Sequence, residues 1–75
     1  MKTFSYAQIT RATEEALQQY LKQSAESDRD EMRDVFGCMA DGAFYLWDRL
    51  THGFQNKGDR DRMRLIKEGQ MELPF

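Results

Sequence analysis

Residues 32–50 read MRDVFGCMADGAFYLWDRL and form the longest dense cluster of large apolar side chains in the chain. When successive residues are placed about 100° apart around a helix axis, one broad stripe of this segment is apolar. Its members are Met32, Val35, Phe36, Met39, Ala43, Leu46, Trp47 and Leu50. A stripe of this width is typical of a helix that packs against two neighbours. The segment therefore predicts the central helix of a small all-α domain, with the stripe facing the core.

Two aromatic side chains depart from that stripe. Phe44 and Tyr45 fall on the opposite face or its flank, where Asp41 and Asp48 also lie. Leaving such rings in water forgoes about 1.5–3 kcal/mol each. If the helix phase is not the one assumed here, the rings need not be exposed at all; if it is, two interpretations are open. Either the rings pack under a loop or the C-terminal residues, or they bind a partner. The second interpretation makes Phe44 and Tyr45 the anchors of the interface, with Asp41 and Asp48 supplying charge complementarity.

Two glycines interrupt the central segment. Gly37 and Gly42 each weaken a helix by about 1 kcal/mol relative to alanine. They either mark a kink or allow another backbone to approach closely. A break in the helix near Gly37 is the structural alternative that the sequence leaves open.

A second helix is predicted before the central one. Ser5 and Gln8 have the spacing of a capping box, and an amphipathic pattern follows over about residues 6–23. A short polar connector leads to the central helix at about 28–52, where Ser27 and Asp30 form a second cap signal. Because the connector is short, the two long helices must be antiparallel neighbours. Gly53 is a natural end for the central helix.

A short third helix is predicted at about residues 59–68. Asp59 is placed to cap it, and Met63 and Ile66 face inward. Gly69 ends the helix, and Pro74 predicts that residues 70–75 form an extended tail. The sequence thus predicts one three-helix domain, built from a long antiparallel helical pair and a short third helix.

Length and composition limit the kinds of protein this can be. The chain has 75 residues, thirteen acidic and eleven basic groups, and a single cysteine. A domain this short has a marginal core, which oligomerisation can support. One cysteine allows neither an internal disulfide nor a cysteine-built zinc site, and a lone thiol fits the reducing cytoplasm. No apolar run approaches the roughly 18 residues of a membrane span, so we expect a soluble, cytoplasmic protein.

No arrangement of residues predicts catalysis. Nucleophilic catalysis needs a base within hydrogen-bond reach of the nucleophile, and Cys38 and His52 are the only candidates of their types. Along a continuous helix they would stand about 21 Å apart. The sequence has no phosphate-binding loop and no metal-ligand signature. We therefore assign no catalytic, cofactor or metal residues and predict that the chain is not an enzyme.

The third helix suggests an alternative function. Arg60, Arg64 and Lys67 share one of its faces, which is the arrangement a nucleic-acid groove could accept. Acidic residues interleave with them, and the net charge of the chain is −2. A small nucleic-acid-binding regulator is therefore the second hypothesis.

The first hypothesis is a non-catalytic protein-binding module. We also predict a homodimer, because the apolar content of the central helix exceeds what one partner helix can cover. In size, acidity and lack of motifs, the chain looks like the short proteins of phages and plasmids that inhibit host complexes such as restriction or CRISPR systems. No particular residue carries that likeness. It implies an inhibitor or adaptor that acts by steric docking on a larger host complex.

Overall fold

The computed structural model describes residues 3–69, which form three α-helices. Helix α1 spans Tyr6–Glu26, α2 spans Asp30–Thr51 and α3 spans Asp59–Lys67. The long helices α1 and α2 pack together as an antiparallel pair, and the shorter α3 packs against both. This confirms the predicted all-α class and its arrangement. The tail predicted at 70–75 lies outside the described residues.

Helix α1 begins with the predicted capping box. The Gln8 backbone N–H donates to Ser5 Oγ at 3.1 Å, and the Ser5 backbone N–H donates to Gln8 Oε1 at 2.8 Å. These two bonds pair donors that would otherwise lack a partner at the start of a helix. The helix continues to Glu26, slightly beyond the predicted end.

The start of α2 differs from its prediction. Arg29 is the residue before the helix, and no side chain caps it, so the predicted Ser27–Asp30 cap is wrong. Ser27 instead follows the last residue of α1, and its Oγ accepts from the Arg29 backbone N–H at 3.3 Å. The connector is so short that Ser27 serves the end of α1. At the other end, Gly53 adopts φ +92° just beyond α2, as predicted.

Helix α2 is continuous from Asp30 to Thr51. It therefore passes through Gly37 and Gly42 without the break that the sequence left open. A Cβ atom added at either glycine would meet no other atom within 4 Å. Neither glycine makes room for another segment among residues 3–69.

Helix α3 is capped by a different residue from the one predicted. Gly58 precedes the helix with φ +88°, a left-handed conformation that glycine adopts without strain. Asp59 is the first helical residue, and the Tyr6 hydroxyl donates a hydrogen bond to Asp59 Oδ2 at 2.6 Å. This bond ties the start of α3 to the start of α1. Met63 and Ile66 are buried, as predicted.

The core lies where the three helices meet. Its buried apolar residues are Leu17, Ala40, Phe44, Trp47, Met63 and Ile66. The Trp47 indole Nε1–H donates to Thr10 Oγ1 at 2.9 Å, and this buried bond joins α2 to α1. Every buried side-chain nitrogen and oxygen within residues 3–69 has a hydrogen-bond partner.

The rotation of α2 about its axis corrects the predicted core stripe. Ala40, Phe44, Trp47 and Thr51 face the core at helical spacing. Much of the predicted stripe is exposed instead, to between 37% and 59%, namely Met32, Val35, Met39, Leu46 and Leu50. Apolar residues extend around more than half of α2, so a choice based on their number alone picks the wrong arc. The covered arc is the one that α1 and α3 hold with specific polar contacts.

Candidate interaction surfaces

Phe44, predicted to be an exposed anchor, is a core residue. Its side chain is 2% exposed, and its ring lies near Trp47 of its own helix and near two basic side chains of α3. The Lys67 Nζ is 5.5 Å and the Arg60 guanidinium carbon 5.7 Å from the ring centroid. Cations at this distance are attracted to the face of an aromatic ring. The prediction that Phe44 points outward is therefore wrong, because α3 covers it.

Tyr45 is exposed, as predicted. Its side chain is 62% exposed, and its ring stands edge-on to Phe44 at 5.6 Å between centroids. Lys67 Nζ lies 5.7 Å from the Tyr45 ring centroid as well. Tyr45 is thus a single aromatic side chain at the border between α2 and α3. Without Phe44 it does not form the two-ring surface that the sequence suggested.

The two predicted acidic residues, Asp41 and Asp48, are joined to α3. Lys67 Nζ lies 3.2 Å from Asp41 Oδ1, and Arg60 Nε donates to Asp48 Oδ1 at 3.1 Å. Gln55 Nε2 also donates to Asp48 Oδ1, at 2.6 Å. The Gln55 bond, and then Arg60, lower the pKa of Asp48 against the opposing effect of desolvation. These carboxylates hold α3 in place and offer little unpaired charge to a partner.

The same contacts occupy the basic residues of the nucleic-acid hypothesis. Arg60 pairs with Asp48 and Lys67 with Asp41, while Arg64 Nη2 lies 3.7 Å from Asp61 Oδ1. The Lys67 side chain is only 14% exposed. A groove-binding helix needs its cations free for phosphates. The arrangement of α3 is thus that of a helix held to its own domain.

A polar cleft of about 230 Å³ lies between α1 and the start of α3. Arg62 spans it, pairing with Glu14 of α1 and with Asp59 of its own helix. The Glu14 bond is the main cause of the raised pKa of Arg62. The pKa of Tyr6 is also raised, first by desolvation and then by the hydroxyl bond to Asp59. Every charged group in this network has an opposite partner, so the cleft fastens α3 to α1.

The side of the helical pair that α3 leaves uncovered carries an exposed apolar surface. Several of its residues were predicted from the sequence to lie in the core. We call it the apolar face. It consists of Met32, Val35, Met39, Leu46 and Leu50 from α2 and Ala12 and Ala16 from α1. At one end of the apolar face lies a groove of about 200 Å³. Its lining includes Leu46, Leu50 and Ala43 from α2 and Ala12 and Ala16 from α1.

The apolar face contains no charged residue. The positions that share this side by helical spacing are Ile9, Ala12, Thr13, Ala16, Tyr20 and Gln23 in α1, and Met32, Val35, Phe36, Met39, Ala43, Leu46 and Leu50 in α2. None of them is Asp, Glu, Lys or Arg, although 32% of the chain is charged. Depletion of charge is what distinguishes the centre of a protein interface from ordinary surface.

The sequence does contain the signal for this surface. Val35, Met39, Leu46 and Leu50 belong to the stripe predicted for α2, but hydrophobic periodicity does not separate a core stripe from an interface stripe. The polar contacts at Asp41 and Asp48 mark the covered side. Their partners in α3 could not be assigned from spacing, because they come from a different helix.

The remaining candidates for chemistry stay apart. Cys38 and His52 are both exposed, and the unbroken α2 separates them by about 21 Å. Within residues 3–69, no three side chains among His, Cys, Asp and Glu converge on a common metal position. No helix in the described part of the chain combines the length and the apolar character that crossing a membrane requires.

Comparison of the chain with protein-family models, with curated proteins and with solved structures finds no match.

Proposed function

We propose that this chain is a non-catalytic protein-binding module and that it binds through the apolar face. The observation that carries the proposal is the combination of exposure and missing charge on that face. Met39, Leu46 and Leu50 are 42%, 59% and 54% exposed, in a stripe of helical spacing. Monomeric proteins rarely expose a contiguous apolar patch of this kind unless it contacts another molecule.

The proposal places the interface on a different side from the one predicted by sequence. The surface around Tyr45 has paired carboxylates and a buried Phe44, so it supplies neither two aromatic anchors nor free charge. The apolar face supplies several aliphatic side chains that lose contact with water on binding. Burial of apolar surface contributes about 25 cal/mol per Å². Binding through this face is therefore expected to tolerate salt.

We further propose that the module acts sterically, by covering a surface of a larger protein complex. This is the mode of the small phage and plasmid inhibitors that the chain resembles in size and acidity. The lone cysteine suits the cytoplasm of the producing or host cell. The apolar face supports such docking, because it offers exposed aliphatic side chains without charge.

Affinity capture from a host-cell extract tests the proposal. The tagged chain is compared with a variant that carries both Leu46→Glu and Leu50→Glu, and with Tyr45→Ala as the matched control on the other side of α2. We expect a specific protein to be retained through high-salt washing by the wild type and the control, and to be lost with the double variant. The two carboxylates would otherwise enter an apolar interface without partners.

Two results would contradict the proposal. One is retention of the same protein by the double variant, which would place the interface elsewhere. The other is capture of nucleic acid that weakens steeply with salt and depends on Arg60 and Arg64. That result would favour the alternative of a nucleic-acid-binding regulator.

A further inference from the structure

We infer that the occupant of the apolar face in the purified chain is a second copy of the same chain, in a two-fold symmetric dimer. This inference rests on the proposed function, because it names a partner for the same surface. A two-fold dimer needs a surface that fits itself. The apolar face meets this requirement in its shape, its area and its charge.

Small and large side chains lie side by side on the apolar face. Ala12 and Ala16 leave a shallow strip along α1, while Leu46 and Leu50 project from the neighbouring part of α2. A two-fold axis that lies in the interface and runs parallel to the helices would set the large residues of one copy against the alanines of the other. Each copy would then supply both a ridge and a groove, as helix packing requires. The four long helices would form a four-helix arrangement.

The area of the face is close to the minimum that a specific dimer needs. The stripe from Met32 to Leu50 extends over about 27 Å at 1.5 Å per residue, and two neighbouring helices are about 20 Å wide. The projected face therefore measures about 500 Å² on each copy, or about 1,000 Å² for the pair. That total reaches the approximate lower limit of specific protein interfaces.

The absence of charge on the apolar face makes it compatible with a second copy of itself. Two-fold symmetry brings the same part of a surface together from both copies, so any charge near the axis would meet its like. The apolar face has no charged residue at the positions that would meet. The small core adds a further reason, since it encloses six apolar side chains within residues 3–69. Domains of this size commonly gain stability by oligomerisation.

The oligomeric state tests the inference. Size-exclusion chromatography with light scattering is performed on the wild type, on Leu46→Glu with Leu50→Glu, and on Tyr45→Ala, all with reductant because Cys38 is exposed. We expect a dimer for the wild type and Tyr45→Ala. The double variant should dissociate at least about 100-fold more readily, because unpaired carboxylates would be buried in the interface. Circular dichroism checks that it remains helical.

A second measurement does not depend on any variant. The thermal midpoint of a dimer rises with protein concentration, because dissociation is coupled to unfolding. We expect this rise for the wild type. A monomer at high concentration with a midpoint independent of concentration would overturn the inference, as would a dimer that the double variant leaves intact.

The two proposals can fail separately. A monomeric wild type that still captures another protein through Leu46 and Leu50 would overturn the dimer and retain the binding function. A dimer that requires these residues, with no other protein captured through them, would retain the inference and overturn docking on a larger complex.

Discussion

The two sides of helix α2 use apolar residues in opposite ways. On the side that faces α3, Phe44 is buried beneath Lys67 and Arg60, and both cations reach carboxylates of α2. On the other side, Leu46 and Leu50 are exposed and no charge lies among them. The covered side thus has its polar contacts built in, whereas the apolar face has none. Charged side chains next to aromatic rings thus mark the covered side of α2.

The largest difference is expected between truncation of the buried ring of Phe44 and truncation of the exposed ring of Tyr45 beside it. Phe44→Ala removes a side chain that is 2% exposed, and Tyr45→Ala removes one that is 62% exposed. We expect Phe44→Ala to lower the free energy of unfolding by about 3–5 kcal/mol, enough to unfold a small domain. Tyr45→Ala should cost about 1 kcal/mol or less, since it loses mainly the edge contact with Phe44 and the contact with Lys67.

Urea denaturation followed by circular dichroism measures both values. Equal losses for Phe44→Ala and Tyr45→Ala would mean that α3 does not cover Phe44. The assignment of the covered side would then be wrong.

The buried hydrogen bond from Trp47 to Thr10 is expected to fix the rotation of α2 about its axis. Thr10→Val keeps the shape of the side chain but removes the oxygen that accepts from Trp47 Nε1 at 2.9 Å. The indole N–H would remain buried without a partner, at a cost of about 1–3 kcal/mol. Thr13→Val is the matched control, because its hydroxyl donates only to the Ile9 carbonyl of its own helix. We expect less than about 0.5 kcal/mol for the control.

Denaturant midpoints of the two valine variants give the comparison directly. If Thr10→Val proved as mild as Thr13→Val, the Trp47 bond would not fix the orientation of α2. The division into a covered and an exposed side would then rest on packing alone.

The fold was largely predictable from sequence, and the candidate surface was not. Local signals were sufficient for the helices, as the Ser5–Gln8 capping box and the stop at Gly53 show. The rotation of α2 depends on contacts made over long sequence separations, such as Thr10 with Trp47. No periodicity encodes those pairs. The prediction therefore exchanged Phe44 and Leu46, taking the ring to be exposed and the leucine to be buried.

A smaller effect is expected from Asp48, on the side covered by α3. The bond from Gln55, and then the pairing with Arg60, place its pKa below the ordinary 3.8. The folded state therefore favours the ionised carboxylate. Its stabilisation is complete above the unfolded pKa and is lost as pH falls through the folded one. We expect Asp48→Asn to cost about 1 kcal/mol at neutral pH, and the difference from wild type to shrink in acid.

Unfolding free energies at neutral and at acid pH check this expectation. Glu15→Gln serves as the control, because Glu15 is 65% exposed and pairs only with Arg11 one turn earlier. Such pairs contribute a few tenths of a kcal/mol. A constant deficit for Asp48→Asn at all pH values would show that ionisation of Asp48 does not hold α3 to α2.

The smallest effects are expected from alanine substitutions at the two glycines inside α2. Gly37 lies seven residues before Phe44 on the covered side, and Gly42 lies four before Leu46 on the exposed side. An added Cβ meets nothing within 4 Å at either position. Each Gly→Ala change should therefore stabilise the helix by about 0.5–1 kcal/mol, because alanine restricts the unfolded chain. Gly53→Ala should destabilise instead, since φ is +92° there.

The measurement is best made with Leu46→Glu and Leu50→Glu present, so that no second copy affects Gly42. In that background we expect Gly37→Ala and Gly42→Ala to raise the thermal midpoint equally. A gain at Gly42 that disappears when the two leucines are restored would show another backbone approaching α2 from the apolar face. A gain that is absent at Gly37 in both backgrounds would show that α3 already packs against that glycine. Either result locates contact on one named side of the same helix.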